Sequence, residues 1–333
     1  MGERVLTITA AKFEAVRGTA EAPPPGRRIY GTTDLTKTQP LVIRDEDVGQ
    51  FSQIIGAEGA VLGPLEAGGT HNENVTYEDI PWWGLLALRG DVAAVLSAVT
   101  AYTRTFDPHE TVDNLKAATF WQQDETQAWR MPFGLVDELE ITGAVGQPWS
   151  LRATILGSDL VPVAAFTDPG ARLGRETVRM GHSKLYIGAI GSDPAGQVTG
   201  TFIDFRLLIR NNFRRKFFGD GSDAMGGVGR EHREIECDFT FEENASSLAE
   251  RVNWTTNTPR VVAIEALGSD IAGSTGPVKK KLRLVMPGIW DGWALSSRTS
   301  NRIFTMKLRG IYDVTFAKQF RMVSVNGIAD PLV

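Results

Sequence analysis

The stretch "GLVDELEITGAVGQPWSLRATILG", residues 134–157, contains two alternating runs joined by a turn rich in Gly and Pro. In the first run Leu139 and Ile141 alternate with Glu138 and Glu140. In the second, Trp149, Leu151, Ala153 and Ile155 alternate with Ser150, Arg152 and Thr154. A period of two places successive side chains on opposite faces of a strand, so each run has one buried and one wet face. The pattern predicts a β-hairpin and a mainly-β chain.

The rest of the C-terminal half repeats this signature. "GTFIDFRLLIR" (200–210) sets Ile203, Phe205, Leu207 and Ile209 against Asp204, Arg206 and Arg210. "REIECDFTFEE" (233–243) sets Ile235, Cys237, Phe239 and Phe241 against Glu234, Glu236, Asp238, Thr240 and Glu242. "RVVAIEAL", "KKLRLVMPG", "NRIFTMKLRGIYDVTF" and "FRMVSVNG" supply four further strands, and "NASSLAERVNW" (244–254) reads as a short helix capped by Asn244.

Upstream, "TYEDIPWWGLLALRG" (76–90) predicts a helix over about 77–88, with Thr76 as N-cap. Glu78 and Asp79 suit its positive end, Pro81 is tolerated only in a first turn, and Gly90 ends it. Trp82, Leu85 and Leu86 share one face, and adjacent Trp83 makes a second large aromatic anchor, for the core or for a subunit interface. The first 70 residues, with "APPPG" (22–26) and "GAEGAVLGPLEAGGT" (56–70), read as an extended arm and loops. The expected organisation is an arm over 1–70, a β domain over 71–170 and a second over 171–333, divided in the loose stretch 167–184. No residue-level repeat is evident, yet the similar element content of the halves permits a duplication.

Composition sets bounds on function. The chain has 333 residues, 42% hydrophobic and 23% charged, with formal net charge −5. That balance speaks against a protein gripping nucleic acid through phosphate contacts. The single cysteine, Cys237, excludes an intrachain disulfide and a thiolate zinc cluster. The N-terminus lacks an apolar signal core, and no apolar run has the length of a membrane helix. Phosphate-loop, dinucleotide, zinc-protease and nucleophile-elbow motifs are missing. His71, His109, His182 and His232 stand singly, and Asp220, Ser222 and Asp223 read as a turn rather than a calcium loop. Acidic pairs such as Glu78/Asp79 and Glu242/Glu243 read as helix capping and solvated faces. No enzyme and no cofactor is expected. One basic run interleaves Phe213, Phe217 and Phe218 with Arg214, Arg215 and Lys216. Single-strand binding is one reading. Docking of this 210–230 loop onto the acidic face of another subunit is the favoured one.

"TYEDIPWW" (76–83), together with "DETQAWRMPFGLVDELEITGAVGQPWSLRATILG" (124–157) and "AKFEAVRGTAEAPP" (11–24), resembles the tail tube, or major tail, proteins of long, non-contractile-tailed bacteriophages. The motifs cover roughly the first half of the chain. The resemblance implies a β-sandwich or partial barrel with short flanking helices, in two tandem units here. It implies rings stacked into a tube, with strands of neighbouring subunits joined into one inner barrel around phage DNA and the tape measure protein. Tail terminator and distal tail proteins would close the ends, in the virion tail after assembly in the host cytoplasm. Three chains supply six units per ring if both halves carry the fold, and six chains are needed if one does; the element content favours three. Glu138, Glu140, Glu234, Glu236 and Asp238 then line the lumen or face outward. Competing readings are a tail terminator, a distal tail protein, or a carbohydrate-binding β-sandwich.

Overall fold

In the computed structural model the 134–157 hairpin is present as predicted, but its first strand is far longer than the alternation shows. The structure describes residues 7–23, 25–43, 60–109, 114–170, 174–219, 221–274, 276–298 and 301–330. Strand β10 (Ala128–Ala144) pairs antiparallel with β11 (Ser150–Gly157), setting Leu139 opposite Ala153 and Ile141 opposite Leu151. These four side chains are at most 2% exposed. The turn passes through Gly146 at φ +81°, a conformation that glycine adopts without steric cost. Two irregularities bend β10. Phe133 sits at φ 58°, and Asp137 bulges out between Val136 and Glu138. Such bulges re-aim a strand, and here they let β10 serve two sheets. Its first part pairs with β9 (Ala118–Gln123) and β12 (Val161–Val163), and its second with β11 and β15 (Phe202–Arg210).

The N-terminal half also contains β1 (Ile8–Phe13), β2 (Arg27–Ile29), β3 (Thr32–Thr38), the hairpin β4–β5 (Leu41–Ile43, Ala60–Leu62), β6 (Glu66–Asn74), α1 (Ile80–Ala87), β7 (Val95–Ala98) and β8 (Ala101–Phe106). The C-terminal half contains β13 (Ser183–Ala189), β14 (Gln197–Val198), β15, the hairpin β16–β17 (Phe213–Lys216, Gly227–Arg230), β18 (Glu234–Glu242), α2 (Ala245–Thr255), β19 (Arg260–Asp270), β20 (Lys279–Arg298), β21 (Asn301–Gly310) and β22 (Arg321–Asn326).

Apart from the added β7–β8 hairpin, the two halves have one topology. β1 pairs with β9 as β13 does with β19, and β3 with β6 as β15 does with β18. β6 pairs with β11 as β18 does with β21. β10 joins β9, β11 and β12 as β20 joins β19, β21 and β22. The bulges correspond as well: Asp137 after Val136, and Asp291 after Trp290. Around them a residue echo emerges, Met131-Pro132-Phe133-Gly134-Leu135-Val136-Asp137 against Met286-Pro287-Gly288-Ile289-Trp290-Asp291, with Phe133 as the extra residue. The tandem units run from β1 to β12 and from β13 to β22.

The units are not separate globules. One sheet runs β3-β6-β11-β10-β15-β18-β21-β20 through both. Over one of its faces lie β2-β1-β9 with the start of β10 and β12, and β14-β13-β19 with the start of β20, β22, β8 and β7. Between the layers a single apolar cluster extends from Trp82, Trp83 and Phe120 to Trp290 and Phe304. Among the described residues these pairings form no closed circuit, so the sheet is open.

Two sequence expectations are corrected. The described part of the 1–70 arm is built into the sheets: β1, β2 and β3 lie within 8–38, and Ala10 and Ala11 are fully buried. The described part of its Pro-rich segment lies in the connection between β1 and β2. The described part of 56–70 holds the end of the β4–β5 hairpin and the start of β6; residues 1–6, Pro24 and 44–59 lie outside the described residues. The first helix is shorter than predicted, because Asp79 rather than Thr76 is its N-cap.

Candidate assembly interface

The "EDIPWW" segment folds through a buried charge cluster. Thr76 Oγ1 accepts the Asp79 N–H at 3.2 Å and donates to Asp79 Oδ2 at 2.8 Å. The Asp79 carboxylate also takes Arg27 and Arg175, each at 2.5 Å. Burial works against ionisation of Asp79, but the two guanidinium groups outweigh it and hold its pKa below the ordinary value. Behind this cluster Trp82 stacks on Phe13 at 5.3 Å and meets Phe120 edge-on. Trp83 stacks on His71 at 4.8 Å and donates its Nε1–H to Glu73 at 2.5 Å.

Trp82, Trp83, Leu85 and Leu86 are at most 5% exposed in the single chain. They are packed within their own chain and leave almost no surface for another subunit. A Cβ added to Gly84 would press on Phe106 and on Met322 of β22, so the helix wedges against the second unit of its own chain.

The five acids expected at a lumen or outer face share one face of the long sheet, the one turned away from the core. They do not stand alone there. Glu140 pairs with Arg206 at 2.7 Å and Glu236 with Lys307 at 2.9 Å. Arg210 lies 3.4–3.6 Å from Glu138, Glu234 and Glu236. Burial pushes the Asp238 carboxyl above its usual range, while for Glu236 the nearby Lys307, Arg210 and Arg309 overcome burial and lower it. Strand alternation adds Asp34, Glu66, Asp204 and Glu242 to this face. The surface is therefore a charge lattice with an excess of acid.

The basic loop forms the β16–β17 hairpin and docks on the first unit. Phe213 is buried with Leu115, Phe133, Leu135 and Met225. Arg215 donates to the Ala67 carbonyl at 2.8 Å and lies 3.5 Å from Glu66. Arg214 pairs with Glu231 at the surface. Lys216, Phe217 and Phe218 are exposed. The docking expected between subunits is thus seen between units. Asp220 lies outside the described residues. Among the described residues no group of three or more His, Cys, Asp or Glu is placed to hold a metal ion, and no helix is long and apolar enough to cross a membrane.

Where the units meet, β10 of the first pairs antiparallel with β15 of the second, from Glu138 opposite Arg210 to Ala144 opposite Asp204. Leu139 and Ile209, and Ile141 and Leu207, are buried pairs on the core face. The bulge locks the register. The Asp137 carbonyl accepts the Asn211 N–H at 2.7 Å, and Asp137 Oδ1 accepts the Phe213 N–H at 2.7 Å. Asn211 Nδ2 in turn donates to the carbonyls of Val136 and Ala87.

The same two strand positions recur at the ends of the sheet. The counterpart of β15 is β3, and that of β10 is β20. Among the described residues β3 is paired only with β6, and the part of β20 beyond Asp291 only with β21. Leu295, in the place of Ile141, is 53% exposed, and Leu41, in the place of Phe213, is 65% exposed. Each chain therefore presents, unfilled, both halves of the joint that it makes once in its middle. Asp137, Asp291, Leu41, Leu295 and the β3 edge were not singled out by sequence pattern; the M-P-G-x-x-D echo was the signal available. No family model and no curated protein matches the chain.

Proposed function

We propose that the protein is the structural subunit of a phage-type tail tube, whose copies join edge to edge into rings that stack around DNA. The observation that carries this reading is the duplicated unit, joined internally through strands whose counterparts are left open at the two ends of the sheet. An open edge invites a partner strand. A head-to-tail contact between unlike surfaces closes into a ring when its rotation permits, and otherwise runs on as a filament. With two units per chain, three chains make a ring of six units.

On this reading the long sheet becomes the inner wall, and its acid-rich face meets the phosphates. Repulsion between like charges keeps DNA from adhering, and interspersed Arg and Lys limit the field. The partners are other copies of the chain, the tape measure protein and DNA in the lumen, and terminator and distal tail proteins at the ends; the setting is the virion tail. The role needs no catalytic residue and no cofactor.

Negative-stain microscopy of purified, concentrated protein tests the proposal. Stacked rings or tubes are expected. Single unstacked rings would instead favour a terminator or distal tail component, and a monomer that binds glycans would favour a carbohydrate-binding sandwich.

A further inference from the structure

The internal joint specifies the joint between copies residue by residue. The bulges align Asp137 with Asp291, so Glu138 corresponds to Gly292, Ile141 to Leu295 and Ala144 to Arg298. Running the pairings of β21 with β18 and of β18 with β15 against those of β11 with β6 and of β6 with β3 aligns Asp204 with Thr32, Leu207 with Leu35 and Arg210 with Thr38. The following hairpins start in step, Phe213 opposite Arg230 and Leu41 opposite Leu62. Phe213 therefore corresponds to Leu41, and Asn211 to Gln39.

We infer that β20 of one copy pairs antiparallel with β3 of the next in one register, Gly292 opposite Thr38 through Arg298 opposite Thr32, with the Asp291 carboxylate accepting the Leu41 N–H. This rests on the edge-to-edge assembly proposed above and fixes its atoms. Three independent features of the free chain agree with it. Leu295 and Leu35 become direct cross-strand partners on the core face, as Ile141 and Leu207 are; this covers a leucine that is now half exposed. Asp291 is exposed, and its side chain makes no hydrogen bond among the described residues, whereas Asp137 is held by two backbone N–H groups, one on its carbonyl and one on its carboxylate. Leu41 protrudes beside the edge, where its counterpart Phe213 fills an apolar pocket on the preceding unit. A slip of one residue would turn Leu295 to the charged face and lose all three matches.

Two sets of variants test the inference in the full-length chain. Ser296→Cys combined with Asp34→Cys places two thiols on opposed positions, within reach of a disulfide after modest adjustment. Ser296→Cys combined with Thr38→Cys places them four residues apart along the strand. Mild oxidation of assembled protein is expected to link chains covalently in the first variant and not in the second; buried Cys237 contributes no background. Asp291→Ala is expected to raise the concentration needed for assembly by about tenfold or more, since a charge-assisted bond is lost, with the near-ultraviolet circular dichroism of the monomer unchanged. Rings that form without the first cross-link, or with the second, overturn the register while leaving the ring reading intact. Assembly by Asp291→Ala at the parent concentration overturns the carboxylate's role. A parent chain that never assembles overturns both the inference and the reading beneath it.

Discussion

Replacing Trp83 by alanine removes an indole of α1 that is both stacked and hydrogen-bonded, and its effect can be worked out from its neighbours. The indole is 1% exposed, stacked on His71, edge-on to Trp82 and bonded to Glu73. Truncating a buried aromatic of this size costs about 3–5 kcal/mol. Trp83→Phe keeps most of the apolar contact but leaves Glu73 without its indole donor, a loss of about 1–3 kcal/mol. The second effect is softened because Arg175 and His71 lie 3.7 and 3.8 Å from the same carboxylate. Urea unfolding of dilute monomer should therefore rank parent above Trp83→Phe above Trp83→Ala, with similar denaturant slopes. Because Trp83 is enclosed within its own chain, variant protein that remains folded should still assemble. Equal losses for the two substitutions, or a loss below about 1 kcal/mol for alanine, would refute the packing argument.

Other consequences are independent of that one. Leu295→Asp puts a charge where the joint needs an apolar side chain; it should leave the monomer's thermal midpoint nearly unchanged and abolish sedimenting assemblies. Asp79 has a folded pKa below its unfolded value of about 3.8. Its contribution is thus fully present above that pH and is lost as pH falls through the folded value. Thermal midpoints measured from about pH 6 down to about pH 3 should show the parent's advantage over Asp79→Asn narrowing with acid. Glu140→Lys disrupts a pair with half-exposed Arg206, which is worth about 0–1 kcal/mol. Tubes should still form, but DNA should leave particles more slowly, and added salt should restore the rate.

The sequence was most readable where alternation coincides with burial. In β18, Ile235, Cys237, Phe239 and Phe241 are all buried, and Asn244 caps α2 through a reciprocal pair of bonds with Ser247. It was least readable where strands lack a complete set of neighbours. β3, "TTDLTKT", carries Leu35 as its one large apolar residue and, among the described residues, is paired only with β6 at the edge of the sheet, so it read as loop. The duplication was hidden for a related reason. Each strand needs only some apolar residue on its core side, so sequence drifts while topology stays. The positions that remain alike surround the bulge, where Gly134 and Gly288 sit against neighbouring side chains and backbone too close for a Cβ. The joint itself could not be read from alternation, since Ile141 and Leu295 have the same pattern and differ only in what lies beside them.

The proposed tube rests on one chain carrying two equivalent units that continue, copy to copy, into a closed ring. Native mass spectrometry of the purified assembly tests this most directly. Rings containing three chains, and stacks in multiples of three, are the predicted result. A concentrated sample that stays monomeric, or rings built from any number of chains other than three, would contradict it.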